Sequence, residues 1–208
     1  LKSEGDCWFE RNHESIQKKE FGLNDSIIRA ISKILSDNKS KNKKLLEIGC
    51  GEGKRLHWIS KNMEIECYGV EPSKKAVSLA NSNDVKVVQG TADFLDFEKN
   101  MFDFVVFGFC LYLCDRSDLF QIAKEADRVL KNNGHIIIFD FYSSANTQNI
   151  YHHLPGIFSY KMDYRKLFDW HPNYDCFHHE VIDRSLDGLD NNKDNRVATS
   201  IIKKNISE

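Results

Sequence analysis

Leu45-Leu46-Glu47-Ile48-Gly49-Cys50-Gly51-Glu52-Gly53-Lys54 is the stretch that decides how this chain is read. A short, mostly apolar strand runs into three glycines at alternate positions, and Lys54 to Lys61 then reads as a helix. Glycine has no Cβ, so it accepts positive φ and lets a ligand approach the backbone closely. Strand, glycine turn and helix in that order open a βαβ unit whose strand end faces a ligand crevice.

The same rhythm continues outward. Cys67-Tyr68-Gly69-Val70 is a second strand closed by Glu71-Pro72-Ser73, with Ser73 placed to cap a helix holding Ala76, Val77, Leu79 and Ala80. Val85–Val88 is a third strand, and Phe102–Phe107 a fourth, apolar enough to be buried on both faces. Asp115–Leu130 carries an apolar stripe at helical spacing, Asn132-Asn133-Gly134 ends it, and His135–Phe141 is a fifth strand. Upstream, Asn24-Asp25-Ser26 starts a helix bearing Ile27, Ile28, Ile31, Ile34 and Leu35, followed by a solvated turn rich in lysine (Lys39, Lys41, Lys43, Lys44). Residues 1–20 read as polar and irregular apart from Trp8-Phe9. Cys176–Ile182 and Arg196–Ile202 look like an antiparallel pair.

Strands alternating with helices give a doubly wound, mostly parallel α/β sheet with helices on both faces, here with an antiparallel C-terminal strand pair. The expected layout is a single domain over 1–208. It comprises an N-terminal flap (1–24), a ligand-binding core (25–141), an aromatic-rich lid (142–174) and the C-terminal pair (175–208). In 141–174, nine of 34 positions are aromatic, about twice the 12% of the whole chain. They build a small core of their own or cover an acceptor site; both readings stand on sequence alone.

Two kinds of ligand compete for the glycine turn. A dinucleotide needs Gly-x-Gly-x-x-Gly; here the last position is Lys54 and the third glycine comes one residue early. Glu47 and Glu52 would also set negative charge where a pyrophosphate lies, which suits a ligand with an ammonium and a sulfonium better. A nicotinamide-dependent oxidoreductase loses on these grounds. Glu71, at the end of the second strand, can accept both hydroxyls of a ribose, and Asp93 after Gln89-Gly90-Thr91-Ala92 can accept an adenine amine.

Leu45–Gly53, Glu71, Gly90–Asp93, Phe102–Phe107 and Arg128–Gly134 together resemble the class I S-adenosylmethionine-dependent methyltransferases over about residues 25–142. The resemblance implies S-adenosyl-L-methionine as cofactor. It places Glu47, Gly49 and Gly51 around the methionine part and Glu71 at the ribose, with Cys50, Gly53 and Pro72 among the further cofactor-binding positions. Thr91, Ala92 and Asp93 fall at the adenine, Phe107 and Gly108 beside the sulfonium, and Trp8 and Arg11 on the flap. Where the family often has Lys-Pro-Gly-Gly, this chain has Asn132 and Asn133. A narrower set, Gly5–Asn12, Gly108–Asp115 and Tyr151–Leu154, is similar to bacterial methyltransferases encoded with surface-polysaccharide genes, which implies a sugar or other small-molecule acceptor. His152, His153 and Tyr112 are the candidate general bases. A non-catalytic protein that binds the same cofactor, or a scaffold, is the alternative.

Lys+Arg 29 against Asp+Glu 31 gives a net charge of -2, without the basic excess of nucleic-acid-binding domains. The apolar runs are strand-length, far short of the ~20 residues that span a bilayer, and Leu1–Asp6 does not read as a secretory start. Six scattered cysteines read as reduced thiols, and Cys110 and Cys114 have no second pair at zinc spacing. The expectation is a cytoplasmic monomer or homodimer with no metal, no nucleic-acid partner and no membrane partner.

Overall fold

The computed structural model describes residues 5–37, 42–82, 85–151, 153, 156–184 and 195–205. The elements are α1 (Gly5–Gln17), α2 (Ser26–Asp37), β1 (Lys44–Ile48), α3 (Lys54–Met63), β2 (Glu66–Glu71), α4 (Lys74–Ser82) and β3 (Lys86–Gln89). β4 (Phe102–Gly108), α5 (Leu119–Val129), β5 (Leu130–Phe141), β6 (Thr147–Ile150), β7 (Phe158–Lys161), β8 (Tyr174–Asp183) and β9 (Arg196–Lys204) follow. Short 3-10 turns lie at Leu111–Leu113, Arg116–Asp118 and Tyr164–Leu167. Among the described residues, no helix is long and apolar enough to cross a membrane.

The main sheet has the order β3-β2-β1-β4-β5-β9-β8. β3, β2, β1, β4 and β5 run parallel, while β9 pairs antiparallel with β5 and β8 with β9. The expected sheet and its antiparallel C-terminal pair are therefore both present. Alternation along buried strands sends side chains to two cores. Leu46, Ile48, Val105 and Phe107 meet α5 and the 164–168 turn, whereas Leu45, Phe104 and Val106 meet α2, α3 and α4.

The helix starts obey their caps. Asp25 Oδ1 accepts the N–H groups of Ile27 and Ile28 at 3.0 and 3.2 Å, and Ser73 Oγ accepts that of Ala76 at 3.1 Å.

Three expectations need correction. Residues 5–17 are a helix, not an irregular stretch: Gly5 and Phe9 are buried one turn apart, and tertiary contacts hold a segment whose overall polarity hides its stripe. The fifth strand begins at Leu130, which pairs with Phe102, and residues 131–134 bulge out before His135 pairs with Phe104. The helix expected from Asp115 starts at Leu119 after the 116–118 turn. Within 142–174, β6 and β7 form a separate antiparallel hairpin.

Candidate functional site

The chain leaves β1 for β2 but comes to β4 only after β3, so strand order reverses between β1 and β4. The crevice beyond the carboxyl ends of strands at such a reversal is where open α/β sheets take ligands. A cavity lies there, walled by Gly49 from the end of β1, Glu71 and Pro72 from β2, Thr91, Ala92 and Asp93 after β3, and Trp8 from α1. The rest of the wall comes from the segment after β4, including Phe109, Cys110, Cys114, Asp115 and Asp118, with Ile122 of α5.

The glycine turn is shaped from beneath. Gly49 has φ +73° and its N–H donates to Val70 O at 2.8 Å. A Cβ there would come within 2.6 Å of Cys110 Cβ, so only glycine lets β1 and the loop after β4 approach. Gly51, at φ +57°, faces open space: a Cβ on it would meet nothing within 4 Å. Gly53 packs the start of α3 against Val85.

Glu71 is the group that ties turn to pocket. Its Oε2 accepts the Gly51 N–H at 2.8 Å and its Oε1 the Ser73 N–H at 2.9 Å. Burial raises its carboxyl above the ordinary range, and those two N–H groups oppose the rise. Each oxygen keeps acceptor capacity for a ligand hydroxyl. Asp93 follows the third strand in a short turn closed by the Thr91–Phe94 bridge, and no helix starts there for it to cap.

Glu47 and Glu52 do not supply the bare charge expected of them. Glu47 is buried against Arg55, whose guanidinium also bonds Asp25 at 3.1 and 3.2 Å. Burial raises the Glu47 carboxyl and Arg55 opposes the rise. Glu52 accepts two hydrogen bonds from Gln17 and faces Lys54. One atom stands apart: Glu47 Oε2 is buried with no hydrogen-bond partner among the described residues. A buried carboxylate oxygen left over beside the glycine turn fits a ligand ammonium.

Other expected residues sit next to the cavity, not on its wall. Cys50 turns under the loop against Gly69. Phe107 is a core residue facing Phe168 with ring centroids 6.3 Å apart. Gly108 leaves room for the Glu47–Arg55 pair. Phe109, one position past the expected pair, lines the cavity instead, with a φ of +67° that bulky residues rarely take.

α1 covers one side. Asp6 Oδ1 accepts from Ser73 Oγ at 2.6 Å and from the Lys75 N–H at 3.1 Å, docking α1 on the start of α4. Trp8 Nε1 donates to the Tyr112 hydroxyl at 2.9 Å, and Arg11 Nη2 to the Tyr151 hydroxyl at 2.9 Å. Arg11 therefore links α1 to the hairpin region and lies off the cavity wall. Burial pushes the Tyr112 phenol well above its usual range, which disfavours the phenolate a base would need. His153 is exposed, its ring edge-on to Tyr151, and is not on the cavity wall. His152 lies outside the described residues.

The aromatic segment divides its labour. Tyr164, Phe168 and Tyr174 join the core beside α5. Arg116 fastens this segment to the loop after β4: Nη2 donates to Leu111 O and Cys114 O at 2.7 and 2.8 Å, while the guanidinium sits 4.2 Å from the Tyr160 ring centroid. Beneath that loop, Asp140 accepts the N–H groups of Leu111 and Phe141 at 2.8 and 2.7 Å. Burial pushes its carboxyl up to about 7 despite these bonds. Sequence reading missed Asp6, Arg55, Phe109 and Arg116, since their roles depend on distant partners that no local pattern announces.

Comparison with known proteins agrees with this geometry. Residues 46–138 match the family model described as a methyltransferase domain. The uncharacterized methyltransferase YcgJ of Bacillus subtilis is 32% identical over 108 residues, 48% of this chain and 41% of that protein. The demethylmenaquinone methyltransferase of Staphylococcus aureus is 33% identical over 107 residues, 48% of this chain and 44% of that protein. The match thus spans less than half the length of these curated relatives.

A Burkholderia thailandensis 1,6-didemethyltoxoflavin-N1-methyltransferase, solved with that compound and S-adenosylhomocysteine, has a similar structure. Its TM-score is 0.73 at 14% identity, over 99% of this chain and 88% of that one. An S-adenosylmethionine-dependent methyltransferase of Methanosarcina mazei gives 0.64 at 18% identity, over 84% of this chain and 98% of that one. At such identities the likeness speaks for architecture: the chain has the Rossmann-like methyltransferase fold, and its residues 46–138 match the methyltransferase domain family.

Proposed function

We propose that the chain binds S-adenosyl-L-methionine at the β1/β4 crevice and transfers its methyl group to a small-molecule acceptor. The observation that carries this reading is Glu71, buried at the end of β2, gripping the Gly51 amide while its carboxylate fronts the cavity. Glu71 would hold the ribose hydroxyls, Asp93 with the backbone of Thr91 and Ala92 the adenine, and the free Glu47 Oε2 the ammonium. Gly51 leaves space for the methionine part. Acidic groups on the wall (Glu71, Asp93, Asp115, Asp118) favour a cationic donor over a pyrophosphate.

When bound, S-adenosylmethionine would supply an electrophilic methyl on its sulfonium sulfur, with Glu71 and Asp93 holding its nucleoside. The chain's own contribution is positioning and exclusion of water, for which about 7–11 kcal/mol is available in well-oriented reactions. Trp8 and α1 close the cofactor side, and the loop after β4, held by Asp140 and Arg116, presents the acceptor side. Tyr112 positions Trp8. Proton removal from a hydroxyl or amine acceptor is assigned to His152, since His153 stands exposed off the cavity wall, and single alanine variants of each test that assignment. The narrower sequence resemblance points to a sugar hydroxyl as acceptor, whereas the aromatic surface beside Phe109 favours a flat ring, and the flat ring is the reading taken up below.

The alternative is a cofactor-binding protein without turnover. Incubation with methyl-labelled S-adenosylmethionine and a metabolite extract separates the two. Label appearing in any small molecule, and disappearing in the Glu71→Ala variant, supports the enzyme; cofactor binding without label transfer supports the alternative.

A further inference from the structure

We propose that the acceptor is a planar molecule bearing a negative charge, a carboxylate or phosphate, seated on the Phe109–Phe141 face with Arg184 as its anion partner. This rests on the reading above, in which the acidic end of the cavity holds the donor.

Phe109 is the hinge of the argument. Its backbone is left-handed, held by donation of its N–H to Phe139 O at 2.8 Å, and the residue lines the cavity. Sparse conformations of this kind persist where surroundings enforce them, often at functional sites. The outcome is a contiguous aromatic surface: Phe109 lies with ring centroids 4.7 Å from Phe141, 5.4 Å from Tyr112 and 5.6 Å from Phe139. Phe109, Phe139 and Phe141 are each partly exposed.

Aromatic faces of this kind could serve a cationic acceptor, but the protein's own cations already attend them. The Arg184 guanidinium lies 5.6 Å from the Phe109 centroid, Lys161 Nζ 4.6 Å from that of Phe141, and the Arg11 guanidinium 5.7 Å from that of Tyr151. Another cation would be repelled, whereas a planar anion would pack beside the rings and meet the positive charge that lies over them. Arg184 is exposed, and among the described residues its guanidinium forms no ion pair with a carboxylate. A planar guanidinium is suited to a two-point grip on carboxylate or phosphate. Asp140, the carboxylate below this face, is already engaged by backbone N–H groups. Glu71, Asp93, Asp115 and Asp118 line the cavity, while Arg184 and Lys161 lie off its wall, over the Phe109 and Phe141 rings.

The test titrates the full chain, saturated with S-adenosylhomocysteine, with benzoate, phenyl phosphate, benzamide and benzylammonium at low and high salt. The expected result is binding of an anion at least about tenfold tighter than the neutral or cationic ring, weakened by salt. Whichever of benzoate and phenyl phosphate binds tighter identifies the anion. Arg184→Gln, an exposed substitution, abolishes the preference, Arg184→Lys retains part of it, and affinity for S-adenosylhomocysteine is unchanged in both. Equal affinity for all charges, preference for the cation, no binding of either anion, or a preference surviving in Arg184→Gln would overturn the proposal. If S-adenosylhomocysteine itself fails to bind the unmodified chain, the donor reading fails separately, and the ring series run without it still reports the charge preference.

Discussion

The Trp8 indole N–H donates to the Tyr112 hydroxyl at 2.9 Å, fastening the first helix to the 3-10 turn that follows β4. Burial raises the phenol, so the role proposed for Tyr112 is hydrogen-bond acceptor for Trp8 in place of base. Tyr112→Phe should therefore cost about 0.5–1.5 kcal/mol of stability and weaken S-adenosylhomocysteine binding modestly. Turnover at saturating cofactor should change little. A loss of about 100-fold or more in turnover with cofactor affinity intact would return Tyr112 to the role of base.

Gly49 and Gly51 separate folding from binding. Gly49→Ala pushes a methyl into Cys110 at a positive φ, so the variant should melt at a clearly lower temperature. Gly51→Ala meets no atom and should cost only about 1–2 kcal/mol from its backbone conformation. Its added methyl projects into the space assigned to the cofactor, so binding should fall far more than stability does. Calorimetric titration beside thermal melts reads both quantities, and undiminished affinity in Gly51→Ala would place the cofactor elsewhere.

Arg55 is the shared partner of Asp25 and Glu47 in a buried cluster. Arg55→Met leaves two carboxylates facing each other out of water, and removing one partner from such a group typically costs about 3–5 kcal/mol. Urea denaturation should show a loss of that order. A loss below about 1 kcal/mol would mean that the cluster is solvated and does not hold the turn.

Asp140 gives the fold a pH dependence opposite in sign to that of an ordinary carboxylate. Its folded value is about 7 against 3.8 for the free group. Between those values the folded chain holds a proton that the unfolded chain has released, so this group makes stability fall as pH rises from about 4 to about 7. Asp140→Asn removes that slope. The stability of the variant relative to the parent should rise across this window and level off above it, as measured by denaturation at a series of pH values. A parallel pair of curves would show that Asp140 titrates normally.

Much of this architecture is legible in the amino-acid order because local and global signals agree. Apolar strands of four to seven residues, the Ser73 and Asp25 caps, and the spacing from the glycine turn to Glu71 and Asp93 each reflect rules that act over a few residues. What escaped reading depends on distant partners. The helix at residues 5–17 is held by Asp6 on Ser73 and Trp8 on Tyr112, contacts 67 and 104 positions away. Glu47 carries no bare charge because Arg55, the second residue of the following helix, folds back over the strand, and no local pattern announces that contact. Phe109 took the place assigned to Phe107 because Phe107 points into the core, while the chain leaves β4 at Gly108 and turns at the left-handed backbone of Phe109.

The central claim is that a buried carboxylate at the end of β2 organises a glycine turn to receive S-adenosylmethionine. Calorimetric titration of S-adenosylhomocysteine into the unmodified chain and into Glu71→Ala tests it most directly. The account predicts one site per chain with a micromolar dissociation constant, weakened at least about tenfold by the substitution, and no heat from NAD(H). No binding by the unmodified chain, equal binding by both proteins, or saturable binding of NAD(H) at the same site would contradict it.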